Sequence, residues 1–466
     1  MTVHEAASPE KGASTTDVTQ ELGGVPPPPR GWERLKWLGP GFLWMVSATG
    51  SGELLFTPRV GALYGYALVW AMIAAVLLKW FINREIGRFA VCTGATVLDG
   101  FKQLPGPRNW AVWLILVPQL VVAVATIAGL AGASATALVL VLPGDVRIWM
   151  IGSVLSATAL VLWGRYKTVE WTAMALGIAL AVAALAAATS VSPDLGALTS
   201  GLVPRVPAQL DYGEILPWLG FMLSGAAGMM WYSYWIQAKG YGAAALSRKS
   251  DQPIHPTKLS GEDRARLRGW VTQMTLDNSI AVVGTLMIAM AFLILGTELL
   301  RPEGLVPEEN RVAETLGYLL GGVWGPLGFW FMITAVFVGF WDTVLSDQDG
   351  FGRLFGDGTR TLLQSLKLSG RWLDETFLKN FFIVVLLTLL PIALYLIMGE
   401  PVGLLKLAGV IEAAHIPVVT GLILYLNHRL LPPDLRPSWA VLAATALAGL
   451  FFAAFAGMYV LQLTSQ

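Results

Sequence analysis

Apolar runs of about 20 residues recur along the whole chain, separated by short polar or charged segments. A helix rises 1.5 Å per residue, so about 20 apolar residues cross a bilayer. Eleven runs meet that length, near residues 38–60, 66–92, 110–141, 148–164, 169–190, 214–237, 269–296, 323–346, 378–398, 402–426 and 438–462. They are numbered spans 1 to 11 below. The pattern predicts an all-α membrane protein.

Two spans are interrupted. In span 1 the stretch SATGSGELLFTP (residues 47–58) puts Gly50, Gly52, Pro58 and the carboxylate of Glu53 where lipid is expected. In span 6, LGFMLSGAAGMMWYSYW (residues 219–235) puts Gly225 and Gly228 around a small-residue stretch. Unwinding at either place exposes backbone groups, which is tolerated only where the chain lines a cavity or is buried in protein. Breaks five spans apart predict an inverted five-plus-five repeat with an added eleventh helix and a substrate site between the breaks. The competing reading is that these glycines only let helices pack closely.

Composition agrees and removes other classes. Of 466 residues, 55% are hydrophobic and 13% charged, against about 25% charged in soluble domains. The formal net charge of zero gives no footprint for nucleic acid. One cysteine, Cys92, allows no intrachain disulfide, and the four histidines show no zinc spacing. No P-loop and no nucleophile–base set appears, so neither an enzyme nor a cofactor is expected. Twenty-four of the 31 Lys and Arg residues fall in the tail and in alternate connections, and five in the other connections; Lys79 and Lys406 lie within spans. That bias predicts a cytoplasmic N-terminus and an external C-terminus. The polar, proline-rich residues 1–36 read as a disordered cytoplasmic tail, and 37–466 as one membrane domain.

GPGFL (39–43), YGYALVW (64–70), LDNSIAVVGTLMIAMAFLIL (276–295) and LLKLAGVIEAAHIPVVTGLILYLN (404–427) resemble the Nramp family of divalent-metal transporters. The resemblance covers about residues 36–430. It implies a LeuT-like fold, alternating access and a bacterial plasma (inner) membrane location. The family's first-span motif Asp-Pro-Gly-Asn falls on Gly50, Ser51, Gly52 and Glu53, and its Met-Pro-His motif on Met229, Met230 and Trp231. Its span 10 glutamines fall on Gly409 and His415. Span 3 contains no Asp or Glu, whereas the family carries acidic residues there for proton movement. The resemblance therefore implies a divalent cation of the Mn or Mg class as substrate, moved without proton coupling.

Glu53 offers hard carboxylate oxygen and Met229 a softer thioether, which makes these two the expected metal ligands. Thr49, Gly50, Gly225 and Gly228 would add backbone carbonyls, and Trp231 and His415 complete the expected substrate-binding set. Glu412 and His415 lie three apart on one helix face and can carry protons. Asp277, Asp342, Thr343 and Glu412 are the expected gating or coupling residues, while Asp347 and Asp349 read as a solvated helix end. The alternative substrate is a small organic solute. An amino acid would be held by bare N–H groups; an organic cation would use the aromatics at the sixth break.

Overall fold

The computed structural model describes residues 24–164, 167–250, 253–366, 370 and 373–465. All eleven predicted spans are helical among them. Seven are continuous helices long and apolar enough to cross a membrane. Span 2 (Val69–Thr93) carries Lys79, Arg84, Glu85 and Arg88 within its length. The protein is a multi-pass integral membrane protein whose backbone groups are satisfied almost entirely within helices, as lipid requires.

Span 3 (Trp110–Val139) packs against span 8 and span 10 and forms the centre of the bundle. Span 8 continues far beyond its apolar run. Its helix runs over Val312–Ser365 with one kink at Gly325, where φ is 62°. Span 10 is Pro401–Leu430, and span 11 is Trp439–Thr464.

The two interrupted spans are built differently. Span 1 starts at Pro40–Ala48 and does not unwind at its glycines; residues Thr49–Phe56 form a π-helical segment that leads into Thr57–Tyr64. The wider turn keeps most backbone groups paired. Pro58 falls in the first turn of the outer half, where its missing N–H costs nothing. Gly52 is needed for closeness rather than flexibility: a Cβ there would come 2.9 Å from the carbonyl carbon of Phe221. Span 6 is truly broken. Its outer half, Tyr212–Phe221, and inner half, Ala226–Lys239, are joined by four non-helical residues. Leu223 (φ 54°) and Ser224 (φ 80°) lie there in the left-handed region, which β-carbon sterics disfavour. The break thus precedes the expected Gly225–Gly228 stretch. Gly225 is the N-cap of the inner half and Gly228 lies inside it.

Span 7 (Gly261–Leu295) anchors the N-terminal start of span 1. Asp277 accepts the N–H groups of Gly39 (3.0 Å) and Gly41 (2.5 Å), and the Tyr232 hydroxyl reaches it at 3.3 Å. The preceding residues 24–36, part of the expected tail, lie along span 7, and residues 1–23 lie outside the described residues. Val25 N–H donates to Asp263 (2.8 Å), Trp270 Nε1 donates to the Pro26 carbonyl (2.9 Å), and Arg34 and Gln273 exchange two bonds of 2.9 Å. A proline-rich chain lacks N–H donors, so its carbonyls must be met by side chains from the helix it lies on.

Asp277→Ala should strip two helix-start N–H groups of their acceptor and lower stability by about 1–2 kcal/mol. Asp277→Asn should lose less. Thermal unfolding in detergent measures both.

Candidate substrate site

The two interrupted spans meet at Glu53. Its Oε1 accepts the N–H of Leu223 at 2.8 Å, so the first-span carboxylate satisfies a backbone group freed by the sixth-span break. Glu53 is 1% exposed, and Oε2 has no hydrogen bond among the described residues. One exposed backbone donor on span 6 therefore explains half of the charge placed in span 1.

The rest of the break is held by two side chains of opposite sign. Lys79, from span 2, is completely buried. Its Nζ donates to the carbonyls of Gly220 (2.6 Å), Met222 (2.6 Å) and Ser224 (2.8 Å), at the C-terminal end of the outer half-helix. The ring of Phe452 lies 5.3 Å away on another side. Glu412, from span 10, accepts the N–H groups of Ala226 (2.6 Å) and Ala227 (3.4 Å), at the N-terminal end of the inner half-helix. A cation at a helix C-terminus and an anion at an N-terminus each complement the helix dipole. Gly225 is required here, because a Cβ would stand 2.5 Å from the Glu412 carboxyl carbon.

Between the breaks lies a cavity of about 40 Å³. Ser51, Thr126, Ser224, Thr343, Asp347 and Glu412 supply its polar wall, and Trp231 and Phe351 its apolar end. Those two rings meet edge to face, with centroids 5.0 Å apart. A second, apolar cavity of about 320 Å³ lies between spans 1, 5, 7 and 8, with Asp342 and Thr343 on its wall.

The expected site residues therefore divide. Gly225, Gly228, Trp231, Thr343 and Glu412 line the small cavity; Gly50, Asp342 and Thr343 line the large one. The Thr49 side chain lies outside the described residues. Met229 is fully buried but lines neither cavity, and nor does Glu53, so the structure does not bring the two expected metal ligands to a common space. His415 is turned toward span 3, where Gln119 Nε2 lies 3.0 Å from its Nδ1 and 3.3 Å from Glu412 Oε2. Asp277 caps the start of span 1 and lines neither cavity. Asp347 corrects the expectation of a solvated helix end: it is 7% exposed and faces the small cavity. Asp349, two residues on, does pair at the surface, with Arg353 and Lys379.

Sequence reading missed Lys79, Thr126 and the role of Asp347. For Lys79 a signal existed, since a charged residue within a span marks a functional or buried partner. Thr126 gave none, as one hydroxyl in an alanine-rich helix is ordinary.

A sequence model described as natural resistance-associated macrophage protein-like, Nramp, matches residues 41–462. The chain belongs to the Nramp family. Members of this family are transporters rather than enzymes. An uncharacterised protein of Pasteurella multocida is 25% identical over 342 residues, 70% of this chain and 71% of that one. The divalent metal cation transporter MntH of Deinococcus radiodurans is 26% identical over 189 residues, 38% of this chain and 41% of that one. Among solved structures, a mutant of the Eremococcus coleocola manganese transporter superposes with a TM-score of 0.66 at 16% identity, covering 94% of this chain and 89% of its own. Inward-facing Mhp1 superposes with 0.51 at 14% identity, covering 91% and 90%. At these identities the structural likeness speaks for the fold alone, and the fold is LeuT-like.

Within this Nramp chain, Lys79 should be indispensable to the break. Lys79→Met leaves three buried carbonyls without a donor, each at about 1–3 kcal/mol. A loss of several kcal/mol, read as a fall in monodisperse yield and in the thermal midpoint, is the expected outcome.

Proposed function

We propose that this Nramp-family protein moves a divalent cation of the Mn²⁺ or Mg²⁺ class across a bacterial inner membrane by alternating access, without proton coupling. The observation that carries the reading is the cavity of about 40 Å³ where the two interrupted spans meet. It has room for an ion and a little water. Sites for organic molecules run to about 300–1,000 Å³. Its wall holds two carboxylates and four hydroxyls, a donor set for hard cations.

Alternating access is supported by the half-helices on either side. The outer ends of spans 1, 6 and 10 are tied by Arg59 to Glu214 (2.8 Å) and by Lys406 to the same carboxylate. The inner half of span 1 is held separately, through Asp277 on span 7. Two independent sets of ties on opposite sides of one small site are what a two-state gate requires. The uncoupled reading is supported by span 3, which faces the site with the neutral groups of Gln119 and Thr126.

The larger cavity favours a second reading, an organic cation. Its volume of about 320 Å³ reaches the lower end of small-molecule sites, its wall is apolar, and Asp342 supplies a negative charge.

Purified protein in liposomes with an inside-negative voltage should accumulate Mn²⁺ or Mg²⁺, while a trapped pH dye stays constant. Acidification that scales with uptake and disappears in His415→Ala would show proton coupling. Uptake of an organic cation with neither ion moved would replace the ion reading by the second one.

A further inference from the structure

The ligands expected to hold the ion sit on spans 1 and 6, at Glu53 and Met229. Both carboxylates that line the small cavity, and the hydroxyl of Thr126, come from elsewhere. Asp347 reaches it from span 8, Glu412 from span 10 and Thr126 from span 3. We infer that the ion is held by an oxygen-only shell in which the carboxylates of Asp347 and Glu412 and the hydroxyl of Thr126 are the side-chain ligands. The inference rests on the ion-transport reading and names the ligands of that same site.

Three observations support this assignment. First, Thr126 is 5% exposed and its Oγ1 has no hydrogen bond among the described residues, although it borders the cavity. A buried hydroxyl left unpaired costs free energy unless something in the cavity meets it. Second, the Asp347 carboxylate accepts no hydrogen bond and joins no ion pair among the described residues, in contrast to Asp349, two residues on. Only one oxygen of Glu412, Oε2, is engaged by backbone N–H groups, which leaves Oε1 for a ligand. Third, the charges balance a dication. The two carboxylates on the cavity wall, Asp347 and Glu412, carry two formal negatives, while the buried Glu53 and Lys79 behind them offset each other. A bare double negative in a low-dielectric interior is unfavourable, and a divalent cation cancels it.

Sulfur has no place in this shell, because Met229 lines no part of the cavity. Among the described residues no three His, Cys, Asp or Glu side chains gather at one point. Two carboxylates must therefore be completed by hydroxyls, carbonyls and water, the usual environment of a hard ion. Selectivity for thiophilic ions such as Cd²⁺ over Mg²⁺ should be weak, since no soft ligand rewards them.

The test is calorimetric titration of the full-length protein in detergent with Mg²⁺, Mn²⁺ and Cd²⁺. Asp347→Asn should weaken Mg²⁺ and Mn²⁺ binding by roughly tenfold or more, the scale of one lost charged contact. Met229→Ala should change the three affinities by a common factor. If Asp347→Asn is not monodisperse, Thr126→Val carries the test: it removes one hydroxyl at nearly constant volume, and weaker binding of both hard ions is expected. Wild-type affinity in the cavity variant that folds overturns the assignment. So does a Met229→Ala loss confined to Mn²⁺ and Cd²⁺, which would return the ligands to span 6 and leave the ion reading intact. Absence of any divalent binding by the wild type removes the ion reading itself and this assignment with it.

Discussion

The structure depends on how the broken backbone of span 6 is satisfied inside a membrane. Four residues leave the helix between Phe221 and Ala226, and their neighbours lose helical partners on both sides. Without water, each unsatisfied group costs several kcal/mol. Three carbonyls are met by one ammonium, Lys79, and two N–H groups by one carboxylate, Glu412. A third side chain, Glu53, takes the N–H of Leu223. Each charge is itself buried, so each is tolerable only because the break supplies several charge-assisted bonds. Break and charges are mutually necessary.

That arrangement also places the site. Lys79 comes from span 2 and Glu412 from span 10, so the two sides of the break are met by different helices. The outer half is further joined to span 1 and span 10 through Glu214. The inner half packs beside the start of span 1, with Tyr232 and Trp44 rings 5.9 Å apart. Span 1 solves the same problem without outside help. Its π-helical turns pair their own backbone, and its glycines serve only to bring it against Phe221 and Thr343. The two interrupted helices are therefore equivalent in position and unlike in chemistry.

Much of the fold was legible along the chain. The eleven apolar runs and the two glycine-bearing interruptions depend on solvation and backbone freedom, which act locally. Boundaries drifted where solvation changes gradually: span 8 runs on to Ser365 as a helix because its polar continuation packs on span 9. The site was legible in part. Trp231 and Glu412 do border the small cavity, whereas Glu53 and Met229 do not. A motif position identifies which residue sits near a break; it does not identify which way the side chain turns.

Amino-acid order alone determined that this chain crosses the membrane repeatedly, that spans 1 and 6 are interrupted, and that few charges lie inside. Those properties follow from the transfer free energy of each segment and need no neighbour. Only tertiary structure decided what the internal charges do. Lys79 precedes the carbonyls it meets by 141 to 145 positions, and Glu412 follows its N–H donors by 185 and 186. Asp347 reads as one of several acids near a helix end until span 8 is packed against span 3 and buries it. Hydrogen-bond partners at such separations are set by helix packing, and no local pattern records them.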